Sequence, residues 1–199
     1  MAHSTGTLLT TVSSRTDTSG AIRAAAVLFV TVLTAVAAQV SFPLPFTPVP
    51  FTLQPMIVLV GGAALGARLG FTSQALYLLA GIAGLPVFAA SGTLPQGFLR
   101  LLGPTGGFLM AYPFAAFVAG NLAERGFDRR YLTSVLAMAA GLGLVFACGV
   151  TWLAFFAAPT ALGLPRALEL GLYPFVGVDI LKILLAAAVL PSVWTLTRR

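Results

Sequence analysis

Six long stretches of this chain are apolar and nearly free of charge: residues 21–40, 51–67, 71–90, 104–123, 131–157 and 173–194. Each is long enough to cross about 30 Å of hydrocarbon as a helix. Hydrophobic residues make up 58% of the 199 and charged residues 8%. A soluble domain of this size has too little interior to hide so much apolar surface. The sequence therefore predicts an all-α integral membrane protein, a bundle of six transmembrane helices. Soluble enzymes, nucleic-acid modules and disordered proteins are excluded as classes. The net charge of +6 is not a nucleic-acid signal here, because the arginines sit at the ends of apolar runs.

Those arginines also orient the chain. If the first run enters from the cytoplasm, the inner segments carry Arg15, Arg23, Arg68, Arg125, Arg129, Arg130, Arg198 and Arg199, and the outer ones only Arg100 and Arg166. The positive-inside bias then places both termini in the cytoplasm. Residues 1–20 hold ten Ser or Thr and read as a disordered polar tail, with residues 21–199 as one membrane domain. Arg15, Arg23, the apolar run and Ala35-Val36-Ala37 could also pass for a signal peptide; its cleavage would leave five spans, whose loops orient well without it.

The chemical inventory is narrow. One Cys (Cys148), one His (His3) and one Lys (Lys182) exclude an internal disulfide, a His-dependent triad, an HExxH zinc site and a Walker A loop. No metal and no cofactor is expected. If ATP drives this protein, another chain hydrolyses it.

Asp179 and Lys182 are the strongly charged residues deep within a predicted span. An ionisable group at that depth costs at least about 2.5–3.5 kcal/mol and normally faces the bundle interior. At i,i+3 the two lie about 60° apart around the helix and about 4.5 Å apart along it. Pro174 suits the first turn of that helix, which puts Asp179 about 7–8 Å below its outer end. Three readings stay open: a ligand-facing pair, an internal ion pair that only holds the helix, and a proton or cation relay.

Three further segments could contribute. Ser41–Pro50 carries four prolines and no charge, which makes a stiff, greasy outer loop. It is either a connector or an apolar lid, with Phe42 and Phe46 as cover and Gln54 as a polar contact one turn into the next helix. Arg100 stands in the next outer loop, either snorkelling to the interface or clamping a carboxylate with its planar fork. Trp152 is either packing or a ring-stacking wall. Small residues repeat at i+4 in Gly62, Gly66 and Gly70, in Ala116 and Gly120, and in Ala21 and Ala25. They permit close helix contact, within the chain or with a partner. From the residues alone, the ligand is small, partly apolar and acidic, with donors for Asp179.

Four stretches carry a family resemblance: Gln39–Gln54 (QVSFPLPFTPVPFTLQ), Gly84–Ala89 (GLPVFA), Leu102–Gly107 (LGPTGG) and Asp179–Lys182 (DILK). Over about residues 21–195 the chain resembles the BioY family, the biotin-binding subunits of energy-coupling-factor vitamin transporters. The resemblance implies outward-facing biotin binding in a bacterial cytoplasmic membrane and no enzymatic activity. It implies as partners a transmembrane coupling subunit and cytoplasmic ATP-binding-cassette ATPases, with Ala21 and Ala25 on the coupling surface. The alternative is a solitary or proton-coupled carrier of a small carboxylate-bearing solute, and a homo-oligomer is a further partner option. Asp179 would accept from the ureido N–H groups, and Lys182 and Arg100 would take the ureido oxygen and the valerate carboxylate. Gln54, Phe46 and Trp152 complete the expected site. Ala89 and Ala90 offer no polar group beside the ureido ring, which leaves Ser91 as the nearest.

Overall fold

The computed structural model describes residues 7–9, 19–90 and 95–197. Ser91 and most of the polar tail lie outside these. Nearly all the regular structure is helical: α1 (Ser19–Gln39), α2 (Gln54–Leu65), α3 (Ala67–Ile82), α4 (Leu99–Leu102), α5 (Gly106–Glu124), α6 (Tyr131–Phe155), α7 (Leu164–Gly171), α8 (Tyr173–Ala186) and α9 (Val189–Thr197). A two-residue hairpin, β1 (Ser41–Phe42) with β2 (Phe51–Thr52), closes the proline-rich loop with Ser41 opposite Thr52. Among the described residues, four helices are long and apolar enough to cross a membrane: Gly20–Gln39, Gly106–Glu124, Tyr131–Phe155 and the run Tyr173–Thr195. The last run contains α8 and α9 with a short turn between them.

The second and third apolar runs behave differently from a simple pair of spans. They form shorter helices that meet at Gly66, with no connecting loop. Gly66 takes φ +89°, ψ 173°, a conformation nearly reserved for glycine. The Ala67 N–H that this corner frees donates to Glu124 Oε1 at 2.9 Å. The third run was expected to stay helical to residue 90. It ends at Ile82, and Gly84 (φ +94°) turns the chain so that Phe88 packs back onto Gly81.

Helix α5 is the centre of the bundle, flanked by α6, α3 and α2. Its Ala115, Ala116 and Ala119 are fully buried. Space is tightest at the glycines. A Cβ on Gly62 would come within 2.5 Å of Ala116 O, and one on Gly70 within 2.8 Å of Gly62 Cα. The Gly62/Gly66/Gly70 and Ala116/Gly120 repeats thus meet each other within the chain. The α1–α3 seam is polar instead: the Thr31 hydroxyl lies 2.9 Å from Ser73 O, and Gln74 Nε2 donates to Thr34 Oγ1 at 3.1 Å. Hydrogen bonds between helices take over where lipid offers no hydrophobic drive. Ala21 and Ala25 stay exposed on α1.

Candidate functional site

Helix α8 buries Phe175, Asp179, Lys182, Ile183 and Ala186 on one face. It leaves Ile180, Leu181 and Leu185 exposed on the other. This is the helical period turning its two charges inward. Lys182 Nζ donates to Asp179 Oδ1 at 2.7 Å and to the Thr52 carbonyl at 2.6 Å. The ammonium also lies 3.6 Å from the centre of the Phe51 ring. The hairpin therefore supplies an acceptor and a π-face to a lysine that would otherwise be a naked charge in hydrocarbon.

Arg100 comes from the opposite side. The short α4 holds it 1% exposed. Its Nη2 donates to Ala89 O at 2.7 Å and its Nη1 reaches Pro95 O at 3.5 Å. Burial draws its pKa below the ordinary guanidinium value, but that starting point is so high that the group stays a cation. Gln54, at the start of α2, donates through Nε2 to the Tyr77 hydroxyl at 2.6 Å, and Tyr77 donates on to Val87 O at 3.1 Å. This relay fixes the amide of Gln54 and pins the chain beyond α3.

These groups converge on one cavity of about 60 Å³. Gln54, Arg100, Asp179 and Lys182 line it, with Thr52, Thr105, Phe108, Tyr112, Phe146 and Phe175. It combines one carboxylate, two cations, hydroxyls and apolar rings. The spacing on the helices explains the lining: Phe108 and Tyr112 stand at i,i+4 on α5, as do Phe175 and Asp179 on α8. An apolar span does not reveal which of its aromatics face inward, so the sequence did not single these out. Thr105 lies within the LGPTGG stretch and carries no separate signal in the sequence.

Two expected residues lie elsewhere. Phe46 is 57% exposed on the hairpin loop. Trp152 stacks on Phe156, donates to Gly103 O at 3.0 Å and faces a separate groove between α5 and α6. Ala89 presents its methyl to the cavity, and Ser91 lies outside the described residues.

The family model described as the BioY family matches residues 9–199. This chain belongs to the BioY family. The "Probable biotin transporter BioY" of Pyrococcus horikoshii is 42% identical over 150 residues, covering 75% of this chain and 82% of the relative. The "Biotin transporter BioY" of Thermotoga maritima is 38% identical over 159 residues, covering 80% and 88%. A crystal structure described as the S-component for biotin from an ECF-type ABC transporter superposes with a TM-score of 0.80. It covers 90% of this chain and 94% of its own, and at 24% identity it shows the shared fold. BioY is a family of transporters, not of enzymes.

Proposed function

We propose that this BioY protein binds biotin in the cavity between α8, α4 and the hairpin, and serves as the substrate-binding subunit of an energy-coupling-factor transporter. The observation that carries the reading is the convergence of Asp179, Lys182, Arg100 and Gln54 on one cavity in a chain of this family. Biotin fits the donor set. Its ureido N–H groups suit the Asp179 carboxylate. Its ureido oxygen and valerate carboxylate suit the two cations, and its ring and chain suit Phe108, Tyr112 and Phe175. At about 60 Å³ the cavity has room for a few waters, so biotin enters only when the cover moves. The cover is the hairpin loop, tied to α7 by the Thr47 hydroxyl donating to Leu170 O at 2.7 Å.

In this reading the chain crosses the cytoplasmic membrane six times, with α2 and α3 as the short second and third spans. Both termini are cytoplasmic, as the arginine distribution favours, and the cavity opens outward. Cytoplasmic ATPases and a transmembrane coupling subunit supply the energy, and the exposed Ala21 and Ala25 let a partner helix approach α1 closely.

Calorimetric titration of the detergent-purified protein with biotin, with desthiobiotin and thiamine as comparators, tests this. Tight biotin binding, no thiamine signal and loss of binding in a folded Asp179→Asn variant are expected. Unchanged biotin affinity in that variant overturns the site assignment. No binding to the folded wild type overturns the substrate.

A further inference from the structure

At the end of the bundle opposite the biotin cavity, α1, α3 and α5 enclose a groove. Arg23, Arg68, Asn121 and Glu124 stand at its mouth, among Leu65 and Leu69. Glu124 is already engaged, accepting from Ala67 N. The guanidiniums of Arg23 and Arg68 are exposed, with no hydrogen-bond or ion-pair partner among the described residues. From Arg68 and Phe117 the groove continues as a mainly apolar slot past Phe71, Thr72 and Phe114. Those two rings meet edge to face at 5.5 Å. Phe71 is one turn from Arg68 along α3, and Phe114 one turn from Phe117 along α5. The slot therefore runs about 5 Å further along the outside of the bundle, away from the mouth.

We infer that this groove binds an anionic glycerophospholipid, its phosphate between Arg23 and Arg68 and one acyl chain along Phe117, Phe114 and Phe71. The polarity of the groove carries the argument. Its two cations stand at the mouth, beside Asn121 and the engaged Glu124, and the slot beyond is apolar but for Thr72, in the same order and direction as a lipid standing in that leaflet. Basic pockets between transmembrane helices at a membrane surface attract anionic head groups, and an arginine fork matches a phosphate. A partner helix would meet the protruding rings of Phe114 and Phe117, 57% and 40% exposed, where close helix packing calls for small residues. The inference is independent of the biotin reading.

Native mass spectrometry of the full chain, loaded with phosphatidylglycerol or phosphatidylcholine, tests it. The wild type should retain phosphatidylglycerol in preference to phosphatidylcholine. An Arg23→Gln/Arg68→Gln variant should lose that retention by about tenfold or more, while Arg23→Lys/Arg68→Lys keeps most of it. Phe117→Ala should also weaken it. Arg125→Gln/Arg130→Gln, which removes the same charge outside the groove, should leave it unchanged. Equal retention of both lipids, or wild-type retention by the glutamine variant, overturns the proposal. Displacement by millimolar glycerol phosphate would assign the site to a free phosphate and overturn it too. So would a glutamine variant that keeps its lipid but no longer assembles with a membrane partner, because the surface would then belong to a protein.

Discussion

Lys182 divides its donors between Asp179 Oδ1 and the Thr52 carbonyl and rests on the Phe51 ring. Asp179, by contrast, has Lys182 as its side-chain partner among the described residues. The pair is therefore asymmetric. Losing one member of a buried ion pair costs about 3–5 kcal/mol when the other is stranded. Lys182→Met strands the carboxylate completely. Asp179→Asn leaves the ammonium two oxygen acceptors and a ring. Both variants should lose biotin, but thermal unfolding in detergent should show Lys182→Met as much the less stable of the two. The reverse order would mean that the hairpin contributes little to holding the lysine. That these two charges face one cavity was legible in the sequence, because charge at membrane depth and i,i+3 spacing leave few alternatives. That they pair with each other at 2.7 Å was one of several open readings, since spacing sets proximity and not rotamer.

Among the elements, the α2–α3 corner departs furthest from the pattern. The sequence offers Gly62, Gly66 and Gly70 as three equal steps along one helix face. Hydropathy is blind to φ, and an apolar run looks the same whether it bends or continues. Gly62 and Gly70 do serve close approach, but Gly66 is the corner itself. A Cβ there would strain a φ of +89° and lie 2.5 Å from Glu124 Oε1, prising away the acceptor of Ala67 N. Gly66→Ala should destabilise by about 1–3 kcal/mol. Gly143, exposed on α6 with nothing within 4 Å of its would-be Cβ, makes the contrast. Gly143→Ala should be neutral or stabilising by up to about 1 kcal/mol through helix propensity. Paired unfolding curves check both, and equal losses would remove the corner's special role. The same blindness explains the early end of α3 and the hairpin within the proline-rich loop. Both are set by turn geometry and by tertiary hydrogen bonds such as Gln39 Nε2 to Phe88 O at 3.3 Å.

Across the whole molecule, the two ends are closed by different means. The cavity end is covered by a hairpin and short helices joined through a few polar ties. The far end is fastened by α9, whose Trp194 Nε1 donates to Asp128 Oδ2 at 2.7 Å, with Arg129 5.1 Å from the centre of the Trp194 ring. Asp128 belongs to the 3₁₀ turn Phe127–Arg129 that joins α5 to α6 and is 1% exposed. Burial raises its carboxyl pKa above the ordinary value, and the Trp194 bond and the Arg129 charge offset this only in part. The folded state therefore holds that proton more tightly than the unfolded chain does. The resulting stability is full below the ordinary carboxyl range, about pH 4, and is lost as pH rises through the raised value. Asp128→Asn keeps an acceptor for the indole and cannot ionise. It should flatten the fall in unfolding temperature expected of the wild type between pH 4 and neutrality, and match or exceed wild-type stability at pH 7. Asp128→Ala removes the acceptor as well and should lie about 1 kcal/mol below Asp128→Asn at every pH. An unaltered pH slope in the asparagine variant would show that the clasp between α9 and the turn rests on the indole and Arg129, and that the carboxyl's proton plays no part in closing this end of the bundle.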